Sequence, residues 1–190
     1  IDGVEIDERL FDLITCEPRL MPHIHLSLQA GDNMILKRMK RRHDRELAID
    51  LVTRMKQRRS DIAIGADIIA GFPTESDAMF ANSVDLVRQC QIVHGHIFPY
   101  SPKKGTPAAR MPQVAPQIIK SRAKALREAV AIERAGWLQS LVGSTLKIAV
   151  EHGGRAGHAE NFAYVKHDSP VPEGSIASAK VTDAKDGVLL

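Results

Sequence analysis

A chain of 190 residues, 44% of them hydrophobic, can bury one substantial core, alone or beside a small second module. No apolar stretch approaches the roughly 20 residues that span a bilayer, so no membrane partner is expected. The net charge is only +3, so any attraction for phosphate must come from how the charge is distributed.

The first residues, Ile1 to Asp7, show no basic region followed by an apolar run, so no secretory signal is expected. With only two cysteines, Cys16 and Cys90, a cytoplasmic protein with two free, mostly buried thiols is the simplest expectation. Asp7 can cap a helix over 8–15, with Leu10, Phe11 and Ile14 on its inner side. Pro18 and Pro22 lead into a strand from His23 to Gln29. A short helix over 32–40 follows, and Asp44 can cap another over 45–59, where Leu47, Leu51 and Met55 recur at helical spacing. A second strand occupies 61–69. The turn Gly71-Phe72-Pro73-Thr74-Glu75 then opens a helix to residue 89, with Thr74 and Asp77 as a weak capping pair. A third strand covers 92–98.

Strand–helix–strand–helix–strand order is the signature of parallel β/α units, whose active face lies at the carboxyl ends of the strands. After a proline-rich connection over 99–116, a helix over 117–141 is expected, with Trp137 as a packing anchor. Beyond Gly143 the composition changes. Short strands are expected at 144–151, 157–166 and 175–182, with one more within 183–190, enough for a small, strongly bent β module. The division is therefore 1–140 and 141–190.

The three parallel strands alternate in an informative way. Ile24, Leu26 and Leu28 take one face of the first, while His23, His25, Ser27 and Gln29 take the other. Ala63, Gly65, Asp67 and Ile69 share one face of the second, and His94, His96 and Phe98 one face of the third. A strand buried only in hydrocarbon has no use for such a polar face, so it is expected to line a site. Gln29 can donate and accept hydrogen bonds to a ribose or base edge. Asp67 suits a donor-rich group of a ligand, or simply fixes loop geometry. Gly71 permits close backbone approach, and Glu75 would stand in the first turn of a helix, where a carboxylate is favourable without any function. The histidines share one face of neighbouring strands, yet no cysteine or carboxylate completes a recognisable zinc pattern, so substrate contact or internal hydrogen bonding is expected and no metal.

Residues 34–59 hold ten Lys or Arg against three acids, concentrated at Lys37, Arg38, Lys40, Arg41 and Arg42. That segment is either a phosphate-attracting patch or an ordinary solvated face. The β module offers only Phe162 and Tyr164 for base stacking. No serine nucleophile elbow, phosphate-binding loop or dinucleotide fingerprint is present, and no catalytic residue is assigned.

The segments His25–Asp32, Leu36–Arg42, Gly65–Glu75 and His96–Arg110 resemble the radical S-adenosylmethionine methylthiotransferases, in order and spacing, over most of residues 1–140. The wording Phe72-Pro73-Thr74-Glu75 and the stretch from Pro107 to Pro112 are similar to the MtaB-type branch, and the segment after Gly143 resembles the family's TRAM domain, a small RNA-binding β module. The resemblance implies an α/β fold, the carboxyl-terminal half of a (β/α)6 partial barrel followed by a small β-barrel. It implies a longer enzyme that uses S-adenosylmethionine and two 4Fe-4S clusters to methylthiolate C2 of N6-threonylcarbamoyladenosine at position 37 of tRNA. Isopentenyladenosine in tRNA, a ribosomal protein, or cluster-free RNA binding are the alternatives. By the same resemblance Gln29, Asp67, Ile69, Gly71, Glu75, Phe98 and Pro99 surround the cofactor. Lys37, Arg38, Arg41 and Arg42, with Phe162 and Tyr164, face the anticodon stem-loop. Cys16 and Cys90 match neither cluster's three-cysteine motif, so this piece is expected to hold no cluster, to be inactive alone, and to depend on an electron donor only within the full enzyme. A sheet lacking its first three strands is expected to expose an edge near His25 and to dimerise through it.

Overall fold

The computed structural model describes residues 1–190, apart from the side chain of His152. Its helices begin where short polar side chains can accept the free amides of a first turn. Asp7 accepts from the Leu10 amide at 2.8 Å and opens α1 (Glu8–Cys16). Asp32 accepts from the Met34 and Ile35 amides and opens α2 (Asn33–Arg38). Asp44 does the same for Leu47 at the start of α3 (Arg45–Arg58). For α4 (Asp77–Gln89) the cap is Ser76, which accepts from Met79, and not the Thr74–Asp77 pair expected from the sequence. Thr74 stands outside the helix at φ 68°, so its hydroxyl is turned away from that first turn. Pro116 starts α5 (Pro116–Ser140), where its missing N–H costs nothing.

Three strands, β1 (His23–Gln29), β2 (Ala63–Ala70) and β3 (Ile92–Pro99), form a parallel sheet in that order. His25 pairs with Gly65 across β1 and β2, while Gly65 pairs with His94 and Asp67 with His96 across β2 and β3. After a register shift between Ile64 and Gly65, the odd-numbered face of β1 and β2 is therefore continuous with the even-numbered face of β3 from His94 onward. On the opposite face Leu26, Ile64, Ile68 and Ile92 are fully enclosed by Leu51, Val52 and Met55 of α3, Leu86 and Val87 of α4, and Leu126 of α5. Leu47, expected on that stripe, is 42% exposed, because the buried face of α3 runs through Ala48, Leu51, Val52 and Met55 and leaves Leu47 beside it. The outer edge of β1 is not bare near His25. The Ile1 nitrogen lies 2.8 Å from the His25 carbonyl oxygen, and the Ser27 amide donates to the Ile1 carbonyl at 2.9 Å. The expected open edge is thus capped at these two residues.

The second sheet holds six short strands: β4 (Thr145–Glu151), β5 (Ala156–Ala159), β6 (Tyr164–Lys166), β7 (Ile176–Lys180), β8 (Ala184–Lys185) and β9 (Val188–Leu189). Their order is β7-β4-β5-β6-β9-β8, and β7 and β8 stand at opposite ends without pairing. Neither sheet of this mixed α/β structure closes, which corrects the barrel expected from the sequence. The reason is geometric. Closure needs a consistent tilt and stagger carried by strands of adequate length, whereas β8 and β9 have two residues each and are tied into a hairpin by Asp186 (φ 52°) and Gly187 (φ 77°). The open face is instead filled from outside. Leu138, Trp137 and Leu141 at the end of α5 pack on Ile148, Val150, Val165 and Leu189. The single strand expected over 157–166 is split by a turn at Phe162, φ 66°. Among the described residues no helix is long and apolar enough to cross a membrane.

Candidate functional site

At the carboxyl ends of the parallel strands the polar face opens into a cavity of about 520 Å³. Gln29, Asp67, Ile69, Phe98 and Pro99 line it, so five of the seven cofactor positions anticipated from the sequence come together at one place. The alternation of β2 puts Asp67 and Ile69 on the cavity side while Ile68 between them is fully buried behind. Gln29 ends β1 at φ 66°, just after the β1–β2 register shifts between Leu26 and Gln29. A non-glycine residue held in the left-handed region at a cavity mouth marks a place where geometry is kept at a cost, a pattern common at functional sites. Phe98 is 50% exposed, an unusual state for a phenyl ring and one that offers a flat apolar wall. Tyr100, Ser101, Lys103, Thr106 and Ala108 complete the lining from the loop after β3. Sequence reasoning did not assign these five, because an irregular loop has no periodicity to say which way it folds. Its Tyr-Ser-Pro turn after Pro99 was the available signal.

Gly71 and Glu75 do other work. Glu75 is fully buried, and its Oε2 accepts from the Gly71 amide at 3.0 Å and from the Arg122 guanidinium at 2.9 Å. Arg122 also donates to the Glu75 carbonyl and to Asp77 Oδ1, pinning α5 to the turn before α4. Burial raises the Glu75 carboxyl above its usual range, and Arg122 opposes that shift. Gly71 sits at φ 74° with the Ile119 side chain only 2.6 Å from where a Cβ would stand, so the residue serves close packing of α5. Neither lines the cavity.

Toward the amino ends of the strands the same face is covered by the second sheet. Phe162 stacks on His23 at 5.0 Å and on His158 at 4.7 Å between ring centroids, joining the two sheets through aromatic contact. Tyr164 lies 5.2 Å from His158 in the same group. Arg134 of α5 donates to Nδ1 of His94 at 2.8 Å, and Trp137 meets His94 edge-on. Burial, and then the Arg134 charge, push the His94 imidazole down to about 3, and burial lowers His23 as well. These two rings are neutral packing elements. Between the covered end and the cavity lies a third group. His25 Nε2 is 3.0 Å and His96 Nδ1 3.3 Å from Oδ1 of Asp67.

The basic segment separates into two kinds of residue. Arg41 donates to Asp2 and to the Ser27 carbonyl, and Arg38 reaches the Thr74 carbonyl at 3.5 Å, so both brace loops. Lys37 and Lys40 are exposed, and Arg42 meets only the exposed Glu5. Cys90 is buried, but Cys16 is exposed at the end of α1, where Arg58 donates to its sulfur at 3.2 Å. The expectation of two buried thiols fails for Cys16 because α1 is an outer helix that buries only Phe11 and Thr15.

Residues 1–87 match the model of the radical SAM superfamily. Over 189 residues the chain is 43% identical to the threonylcarbamoyladenosine tRNA methylthiotransferase MtaB of Rickettsia prowazekii, a match spanning all of this chain and 45% of that protein. It is 34% identical to the tRNA-2-methylthio-N(6)-dimethylallyladenosine synthase of Rickettsia bellii, over 95% of this chain and 42% of that one. The chain thus spans less than half the length of the curated relatives it matches.

Proposed function

On the premise that the chain is homologous over most of its length to radical-SAM methylthiotransferases of the MtaB type, we propose that it is the nucleoside-binding and tRNA-facing part of an enzyme that methylthiolates N6-threonylcarbamoyladenosine in tRNA. The observation that carries this reading is the cavity at the strand ends. Phe98, Ile69 and Pro99 give apolar walls suited to an adenine ring, while Gln29 and Asp67 supply the few polar groups that orient a ribose. When bound there, S-adenosylmethionine supplies the methyl group and the radical precursor. The residues of the chain hold the nucleoside and exclude water from its base. Glu75 and Gly71 support the cavity from behind, through Arg122 and Ile119.

Three-thiolate clusters are not accommodated by these residues. Cys90 is buried behind the sheet and Cys16 lies on the outer helix α1, and the sequence contains no third cysteine. No step is assigned to a cluster here, and this piece alone is inactive in the proposal. Exposed Lys37, Lys40 and Arg42 present charge for the tRNA backbone, with Arg38 and Arg41 holding the segment in place, and Phe162 and Tyr164 are the aromatic residues that the second sheet offers to a base.

The higher identity to the threonylcarbamoyladenosine enzyme favours that substrate over the dimethylallyl one. Nucleoside analysis of tRNA from a strain lacking the gene tests it. Loss of 2-methylthio-N6-threonylcarbamoyladenosine, with its unmodified precursor accumulating, is the expected result. Loss of the dimethylallyl derivative instead moves the substrate, and an unchanged profile overturns the reading.

A further inference from the structure

We infer that His25, Asp67 and His96 form a binding site for a divalent transition-metal cation of the zinc class. The site does not depend on the methylthiotransferase reading. It begins with strand register. Asp67 pairs directly with His96, and His25 lies opposite Gly65, two residues earlier on the same face of β2. Gly65 is what allows the three to meet. A Cβ at that position would stand 2.4 Å from Nδ1 of His25, so only a residue without a side chain lets that ring lie across β2 and aim its Nε2 at Asp67.

The result is one ligand atom from each of three strands, all within 4.8 Å of one another. The two separations from Asp67 Oδ1 are 3.0 Å and 3.3 Å. Bonds of 2.0–2.1 Å to a tetrahedral ion place neighbouring ligand atoms roughly 3.3–3.4 Å apart, close to the two separations from Asp67 Oδ1, while the two imidazole nitrogens lie within 4.8 Å of each other. Two imidazoles and one carboxylate suit zinc, cobalt or nickel far better than magnesium or calcium, which take oxygen ligands. Three protein ligands also leave a position open for a further ligand, and side-chain exposures of 29%, 30% and 66% leave room for one. Asp67 is shared with the neighbouring cavity, so occupancy of the site and of the cavity are coupled through one carboxylate.

The chain stripped with chelator and titrated with Co²⁺ tests this, with Zn²⁺ as competitor. The expected result is a visible d–d spectrum of a four- or five-coordinate ion at one equivalent, abolished by Zn²⁺. His25→Ala and the isosteric Asp67→Asn should each weaken binding at least about tenfold, the lower bound even for outer-shell changes at metal sites. His167→Gln, just after β6, should leave it unchanged. Should a variant lose its fold by circular dichroism, the wild-type chain still decides, because Co²⁺ must shift or broaden the ring signals of His25 and His96 in its NMR spectrum. No d–d band at millimolar Co²⁺, full affinity in both folded variants, or unperturbed His25 and His96 signals would overturn the assignment.

Discussion

The two faces of the parallel sheet are built from the same strands and reach opposite ends. The outer face, carried by Leu26, Ile64, Ile68 and Ile92, is 0% exposed under three helices. The inner face carries Gln29, His25, Asp67, His96 and Phe98, of which Asp67 keeps 30% of its side chain exposed and Phe98 stands 50% exposed. Cohesion comes from one face, and the other is released for chemistry. A polar strand face is affordable only because its reverse supplies the burial that holds the sheet together.

Adjacent isoleucines give the strongest test of that contrast. Ile68→Ala, on the sealed face, should cost about 2–5 kcal/mol in urea unfolding, the range for truncating an enclosed aliphatic residue. Ile69→Ala, one residue on but facing the cavity, should cost about 1 kcal/mol or less and should weaken nucleoside binding instead. Equal losses would erase the distinction between the faces.

Cys90 sharpens it through pH. Burial pushes this thiol up to about 12 from the ordinary 9.0. The folded chain therefore retains a proton that the unfolded chain gives up. The stability this contributes is complete below pH 9 and is lost as pH rises toward 12, at about 1.4 kcal/mol per unit. Wild type should lose that much more than Cys90→Ala over this window, and at pH 8 a thiol reagent should label only Cys16 until the chain is unfolded. Parallel pH profiles would show that Cys90 is not sealed. The smallest effect belongs to the inner face: with metal absent, His96→Ala should change stability by no more than about 0.5 kcal/mol, because its side chain is 66% exposed. A larger loss in thermal unfolding would make the triad part of the core.

Much of the first sheet was legible because its signals are local. Caps at Asp7 and Asp44, helical spacing in α3 and strict alternation in β1 each depend on residues a few positions apart. Five cavity residues were among those that the family resemblance implied for the cofactor, at the carboxyl ends where parallel strands open their sites. Glu75 and Gly71 share that location, yet their role was decided by Arg122 and Ile119, which lie more than forty residues away in sequence. The second sheet was less legible. Apart from β4, its strands have only two to five residues and carry little periodicity, and the end of α5 that packs on the sheet lies outside any of them.

By itself the sequence determined the alternation that makes β1, β2 and β3 two-faced, and the order of strands and helices that makes them parallel, since both follow from near-neighbour chemistry. Only the tertiary structure decided which polar residues were consumed. It half-buried His94 and His23 against Phe162, tied Glu75 to Arg122, and left Asp67 between two imidazoles at the edge of a cavity. The physical reason is desolvation. A polar side chain becomes a strut or a site according to what packs over it, and those covering residues come from distant parts of the chain.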